Sequence, residues 1–109
     1  MFEIVILEEA ERYIVHLPRQ QQNKVTAYLR RLEAEGFNLR RPLADNLGHG
    51  WGLWELRPGR HRFLYFFHKR VIIVVAHAFL KKTDNIPQTE INLALKRKQE
   101  YEEGGHEKA

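Results

Sequence analysis

Apolar residues recur along the first third of the chain with the period of a strand and then with that of two helices. Residues 2–7, FEIVIL, form a short β-branched apolar run that is typical of a β-strand. In residues 8–17 and again in residues 20–36, apolar side chains recur at positions i, i+3, i+4 and i+7, which predicts two amphipathic helices. Pro18 separates them, so the pattern predicts a helical hairpin with one apolar face.

The second half of the chain predicts three strands and a third helix. Residues 37–50 are irregular and rich in turn residues, and the apolar and aromatic runs 51–57, 60–68 and 71–80 follow with short connections. Short connections favour antiparallel neighbours. Pro87 then begins a helix with a narrow apolar face. The predicted fold class is therefore α+β, in the order β-α-α-β-β-β-α, with an antiparallel sheet, the helical hairpin on one of its faces and a C-terminal helix.

The length of the chain suits one domain. Its 109 residues show no internal repeat and no linker, so a single domain is predicted over residues 1–103. The last residues, 104–109, are GGHEKA and are predicted to be a disordered tail. No apolar run approaches the roughly 20 residues of a membrane span, and the N-terminus has no signal pattern. Together with the absence of cysteine, these features predict a cytoplasmic protein without membrane contacts.

Alternation within the predicted strands indicates which side chains share a face. Phe63, Tyr65 and Phe67 lie on one face of their strand, and Arg62 lies on the other. By the same alternation, Trp54 is expected to pack on the helices. In the last strand the odd-numbered residues from 71 to 81 share a face, unless a β-bulge reverses the parity. Periodicity alone leaves open which face of this strand is directed to the core.

Composition excludes several kinds of active site. The chain has no cysteine and no serine, which excludes a thiolate metal site, a cysteine nucleophile and a Ser-His-Asp triad. The six histidines do not fall in a ligand pattern, and no glycine-rich phosphate loop is present. No metal ion and no cofactor are therefore predicted.

Positive charge is concentrated in one segment. The formal net charge is +4, and residues 51–83 hold seven lysines and arginines but a single acidic residue, Glu55. The segments before and after it are balanced or slightly acidic. Clustering of this kind indicates a nucleic-acid or phosphate partner, but cations also protect exposed sheet edges from aggregation. Charge alone leaves both interpretations open.

Four cations of this segment are expected to converge where the strands end. Arg57 and Arg62 supply planar donors that bind phosphate in a bidentate manner. Lys81 and Lys82 add point charges beside them, at the end of the last strand. His77 is the nearby group that exchanges protons near neutral pH. The pattern predicts a cationic concavity that binds a polyanion.

Each of these residues also has an ordinary structural interpretation. Glu55 and Arg57 could form a modest cross-strand ion pair. A histidine inside an apolar run, as His77 is, is commonly a core residue with satisfied hydrogen bonds. Lys81 and Lys82 could be solvated charges of a loop.

Four stretches of the sequence together resemble a known family. They are LWELR at residues 53–57, HRFLYF at 61–66, AHAFLKKT at 76–83 and IPQTEINLA at 86–94. With these motifs and the order of its predicted elements, the chain resembles the RelE-like toxins over residues 2 to about 98. Within them it is similar to the phage-derived branch close to HigB. The specific part is the combination of E-L-R with F-x-K-K-T-x-x-x-P-x-x-E-I.

The resemblance implies the toxin of a type II toxin–antitoxin pair. Such a toxin is a metal-independent endoribonuclease, a hydrolase that cleaves messenger RNA on the ribosome and inhibits translation and growth. The 2′-hydroxyl of the substrate attacks the adjacent phosphorus, so the protein must supply a base, an acid and cations. The implied catalytic residues are Arg62 and Lys81, supported by Arg57, with His77 as a candidate for proton transfer. The implied RNA-binding residues are Lys82, Arg60 and Tyr65.

The resemblance also implies partners, and two other functions stay open. The implied partners are a cognate antitoxin, expected to be a small helix-turn-helix protein, and messenger RNA on the ribosome. DNA would be contacted only through the antitoxin. A ParE-like toxin of the same fold would instead inhibit DNA gyrase, and a non-catalytic RNA-binding module would use the same cations without cleaving RNA.

Overall fold

One β-sheet between two helical layers makes up the fold. The structure is a computed structural model that describes residues 1–104. Its α-helices are α1 (Glu8–Val15), α2 (Arg19–Glu35) and α3 (Gln88–Glu102), and a short 3-10 helix spans Gly36–Asn38. Its strands are β1 (Glu3–Ile6), β2 (Ala44–Asn46), β3 (Trp54–Leu56), β4 (His61–His68) and β5 (Ile72–Leu80). The tail predicted for residues 104–109 lies, apart from Gly104, outside the described residues.

The strands form one sheet in the order β1-β5-β4-β3-β2. Strands β2 to β5 are antiparallel neighbours, whereas β1 pairs with β5 in parallel. The predicted α+β fold class is confirmed, and the structure adds the parallel pair and strand β2. Strand β2 lies in the segment that was predicted to be irregular. It was not predicted as a strand because its three residues are too few to show a period. Two of them, Asp45 and Asn46, are also common in turns.

The helical hairpin covers one face of the sheet, and α3 covers the other. Side chains of α1, α2 and the hairpin-facing side of the sheet form one core, which includes Phe63 and Tyr65. A second core lies under α3 and includes Leu64 and Phe66. Strands β4 and β5 are therefore buried on both faces, which explains the continuous apolar run of β5. Within residues 1–104, no helix has the length and apolarity that crossing a membrane requires.

A β-bulge turns the end of β5 toward α3. The adjacent residues Leu64 and Tyr65 of β4 pair with His77 and Val75, so Ala76 is an extra residue in β5. As a result, odd-numbered residues before the bulge pack under the hairpin, and odd-numbered residues after it face α3. The face predicted to be shared by the odd-numbered residues 71–81 therefore extends only to the bulge, which reverses the parity as the sequence pattern had left open.

Gly36 ends α2 in a conformation that other residues avoid. Its φ is +51°, and its N–H donates to the carbonyl oxygen of Leu32. The Phe2 ring occupies the space of a side chain, since a Cβ atom at Gly36 would lie 2.0 Å from Phe2 Cε1. The Phe2 ring also meets Phe37 and Phe67 edge-on. Close approach at Gly36 thus fixes the end of α2 against the start of β1.

We expect Gly36→Ala to destabilise the protein more than Gly50→Ala. Gly50 also has a positive φ, +70°, but no atom lies within 4 Å of the position of its Cβ. Both substitutions carry the cost of a side chain at positive φ, about 1–2 kcal/mol. Only Gly36→Ala adds a steric clash, which costs about 1–3 kcal/mol more. Urea unfolding of the two variants measures the difference in unfolding free energy, and equal losses would contradict the role given to Phe2.

Candidate functional site

A cleft opens where β5 ends and the chain turns toward α3. Its volume is about 900 Å³, and strands β2 to β5 and the segment 81–87 contribute to its lining. The cations that line it are Arg41, Arg57, Arg62, Lys81 and Lys82. The structure thus brings together the four cations that were expected to converge, and it adds a fifth.

The cleft contains carboxylates as well as cations. The acidic residues that line it are Asp45, Glu55, Asp84 and Glu90, so the cations outnumber the carboxylates by only one. Within the described part of the chain, no group of three or more His, Cys, Asp or Glu residues could hold a metal ion. The site therefore has mixed charge, and ion pairs join its lining residues: Arg41 with Asp45, and both Arg57 and Arg62 with Glu55.

Glu55 lies between two of the cations and is shielded from water. Its carboxylate is 3.4 Å from Arg57 Nε and 3.7 Å from Arg62 Nε, and the residue is only 7% exposed. Burial raises the pKa of Glu55 above the ordinary glutamate value, and the nearby arginines oppose this effect only in part. Glu55 therefore has the position and the pKa shift of a proton acceptor that works closer to neutral pH.

The sequence pattern indicated Glu55 only as a partner in a cross-strand ion pair. A stronger signal was present, because Glu55 is the single acidic residue among the seven cations of residues 51–83. A lone carboxylate within a segment that is predicted to bind phosphate is a candidate general base. Whether Glu55 can act as a general base depends on its burial. Alternation along a strand of only three residues does not reveal that burial.

Arg62 lines the cleft and also holds the turn between β3 and β4. Its Nη1 donates to the carbonyl oxygens of Gly59 and His61, each 2.8 Å away. The residue is almost fully buried, and burial lowers its pKa. These bonds fix the plane of the guanidinium group, and within the described residues Nη2 remains available to a ligand.

Lys81 is held at the rim of the cleft by the backbone of the preceding turn. Its N–H donates to the Arg60 carbonyl oxygen at 2.8 Å, and Arg60 Nη2 donates to the Lys81 carbonyl oxygen at 3.4 Å. The Lys81 side chain is half-buried, whereas the neighbouring Lys82 is exposed. Arg60, which was predicted to bind RNA, does not line the cleft. Its contacts instead position Lys81.

Comparison with known proteins identifies the family of this chain. A family model described as phage derived protein Gp49-like (DUF891) matches residues 12–99. The chain belongs to the phage-derived Gp49-like family. No match was found among curated protein sequences.

The fold of this Gp49-like protein also has a solved counterpart. The crystal structure of the archaeal RelE–RelB complex from Pyrococcus horikoshii OT3 contains a chain that is similar to it, with 19% sequence identity and a TM-score of 0.63. The match covers 73% of this chain and 94% of that chain. At this identity the likeness shows a shared fold. The phage-derived family and the RelE-like fold that the sequence motifs indicated are both confirmed.

In this Gp49-like protein, His77 belongs to a partly buried network behind the cleft. Arg97 Nη1 donates to His77 Nδ1 at 2.7 Å and to the Ala76 carbonyl oxygen at 3.0 Å, and Arg97 also pairs with Glu9. Because Nδ1 accepts a hydrogen bond, Nε2 carries the proton and donates to Glu90 at 2.7 Å. Glu90 lines the cleft and His77 does not. His77 therefore acts on the cleft by orienting Glu90.

Tyr65 lies in the core on the hairpin side of the sheet. It is fully buried, and its hydroxyl has no hydrogen-bond partner within residues 1–104. Burial raises the pKa of this hydroxyl, and the nearby carboxylate of Asp45 adds to the effect. The family motifs implied a contact between Tyr65 and RNA, but the structure places the ring beneath the surface, where RNA does not reach it. Its alternation with Phe63 was the better guide to its position.

Glu55→Gln is expected to change how stability depends on pH. The pKa of Glu55 is higher in the folded protein than in the unfolded chain, so the folded protein favours the protonated carboxyl group. The contribution of Glu55 to stability is therefore fully present below the unfolded pKa, about 4.3. It is lost as the pH rises through the folded pKa. The unfolding free energy of the wild type should therefore fall relative to that of Glu55→Gln between about pH 4 and the folded pKa of Glu55. Urea unfolding across this range measures the difference.

Glu100→Gln, which removes an exposed carboxylate of α3, is the control for a general change of charge. Parallel curves for wild type and Glu55→Gln would show that the Glu55 carboxylate is not destabilised by burial.

Proposed function

We propose that this protein is the toxin of a type II toxin–antitoxin pair and that it cleaves messenger RNA without a metal ion. The observation that carries the proposal is the buried Glu55 carboxylate, with its raised pKa, in a cleft lined by cations. Cleavage by the 2′-hydroxyl of RNA requires a proton acceptor beside groups that stabilise negative charge. Membership of the Gp49-like family and the RelE-like fold support the proposal.

In the proposed reaction, Glu55 accepts the proton of a 2′-hydroxyl that attacks the adjacent phosphorus. Negative charge then builds on the non-bridging phosphate oxygens, and the guanidinium groups of Arg57 and Arg62 donate hydrogen bonds to them. The ammonium group of Lys81 stabilises the leaving 5′-oxygen and gives it a proton. The products are a 2′,3′-cyclic phosphate and a 5′-hydroxyl end.

Of the groups assigned to charge stabilisation, the Arg62 guanidinium is held in place before a substrate binds, and Lys81 is anchored there through its backbone. Arg62 is fixed by two backbone carbonyl groups, and the Lys81 backbone is fixed by Arg60. Groups that are already oriented need little rearrangement in the transition state, so they contribute more to the rate than mobile cations do. Lys82 is exposed and is assigned to binding of a neighbouring phosphate.

The proposed partners are an antitoxin and the translating ribosome. The similar archaeal RelE was solved in complex with RelB. We expect a comparable antitoxin here, a small helix-turn-helix protein that masks the cleft and alone contacts DNA. The cleft is open and suits an unstacked single strand, so messenger RNA presented by the ribosome is the proposed substrate. Among the phage-derived toxins, we propose that the protein is close to HigB.

Induced expression of the protein alone is expected to stop growth and protein synthesis early. Cleavage of messenger RNA removes the template, so incorporation of labelled amino acids should fall before DNA supercoiling changes. Co-expression of the cognate antitoxin should restore growth. Unchanged protein synthesis in cells that contain the folded protein would contradict the proposal, and an early loss of supercoiling would favour inhibition of gyrase instead.

Lys81→Met should abolish most of the cleavage activity, whereas Lys69→Asn and Arg70→Asn should not. Lys81→Met keeps the length of the side chain and removes the charge, and the loss of one preorganised contact typically lowers the rate on the order of a hundredfold. Lys69 and Arg70 lie in the turn between β4 and β5, outside the cleft. Single-turnover cleavage on translating ribosomes measures the three rates.

The control substitutions are to asparagine because Lys69 and Arg70 have φ values of +52° and +70°, which asparagine tolerates better than alanine. Arg62→Ala is a poorer test than Lys81→Met, because it also leaves the Gly59 and His61 carbonyl groups without their donor. Equal small losses at Lys81, Lys69 and Arg70 would leave only nonspecific electrostatic binding.

A further inference from the structure

A second groove continues the cleft across strand β2. Its volume is about 460 Å³, and Phe37, Arg40 and Trp54 contribute to its lining. Arg41 and Asp45 line both the groove and the cleft, and an ion pair of 2.7 Å joins them. The two depressions therefore meet at this ion pair. An extended ligand that leaves the cleft over β2 would enter the groove.

An aromatic side chain with a free face stands in the groove. Phe37 is 52% exposed, although its ring stacks on Phe67 at 3.9 Å with an interplanar angle of 22°. Phe2 meets the same ring edge-on. These contacts hold one face of Phe37 against the protein, so the other face is presented to solvent in a fixed orientation. A nucleic-acid base can stack on such a face without ordering the ring first.

Cations flank the aromatic face. Arg40 and Arg41 are both exposed, and within residues 1–104 Arg40 takes part in no ion pair. Two arginines beside an exposed aromatic ring match a nucleotide, which has a phosphate and a flat base, better than they match an apolar peptide. A base can reach Phe37 only when it is unstacked, so the fitting partner is a single strand.

We propose that the groove lined by Phe37, Arg40 and Trp54 binds a nucleotide that flanks the cleavage site, in the same RNA strand as the one held in the cleft. The base stacks on the free face of Phe37, and its phosphate lies against Arg40 and Arg41. This proposal rests on the proposed function of the cleft. It adds a binding position that lies outside the cleft and does not touch the reacting atoms.

The length dependence of oligonucleotide binding tests the groove separately from cleavage. Fluorescently labelled 2′-O-methyl RNA oligonucleotides lack the attacking hydroxyl, so anisotropy reports binding whether or not the protein is a nuclease. Short oligonucleotides fill the cleft alone, and longer ones reach the groove. We expect affinity to rise by at least about fivefold when a stacked base is added. Phe37→Leu and Arg40→Ala should each lose this gain and bind short oligonucleotides as the wild type does.

Arg30→Ala is the matched control, since it removes an exposed arginine of α2 that lines neither depression. It should keep the length-dependent gain. Arg40→Ala removes an exposed side chain, so it remains informative if Phe37→Leu weakens the fold. A wild type without the gain, or variants that keep it, would overturn the proposal. Retained RNA binding with weakened antitoxin binding in Arg40→Ala would assign the groove to the antitoxin instead. Failure of short oligonucleotides to bind would overturn the RNA function of the cleft as well.

Discussion

The burial of Glu55 between two guanidinium groups is the interaction on which the rest of the cleft depends. A carboxylate that is removed from water is destabilised unless charged partners and hydrogen bonds compensate it. Arg57 and Arg62 approach it at 3.4 and 3.7 Å, which is too far for tight charge-assisted hydrogen bonds. Compensation is therefore partial, and the pKa of Glu55 remains raised. The same incomplete pairing leaves acceptors and donors free to meet a substrate.

The sheet keeps this pairing in place by fixing three strands around it. Glu55 of β3 lies opposite Leu64 of β4, and Arg62 of β4 lies opposite Phe79 of β5. The apolar partners Leu64 and Phe79 belong to the core under α3, so the charged pair lies at the border of a packed layer. Arg62 also ties down the turn that precedes β4. Arg62 thus contributes both to the stability of the fold and to the proposed chemistry, as is common for residues of functional sites.

The bulge in β5 determines how Glu90 is held at the side of the cleft that α3 forms. By adding Ala76 to the strand, it directs His77 toward α3, where Arg97 fixes its tautomer and Glu90 accepts a hydrogen bond from its Nε2–H group. Glu90 then faces the cleft while His77 stays behind it. An unbulged strand would direct His77 to the hairpin side, and Glu90 would lose its donor. For this reason, the sequence alone does not predict that His77 positions Glu90, and the pairing of β4 with β5 has to be known first.

Local pattern determined much of this protein. The apolar runs and periods of the sequence predicted all three α-helices and the strands β1, β3, β4 and β5, because helix and strand geometry places residues at fixed spacings on one face. Charge distribution and motif order were sufficient to expect the convergence of Arg57, Arg62, Lys81 and Lys82. Tertiary structure alone decided the parallel pairing of β1 with β5, the bulge, the absence of a hydrogen-bond partner for the Tyr65 hydroxyl within residues 1–104, and the desolvation of Glu55. Each of these features depends on pairing between segments that are distant in sequence. This pairing creates the environment that decides which side chains are exposed to water and how far their pKa values shift, and the residue type alone does not.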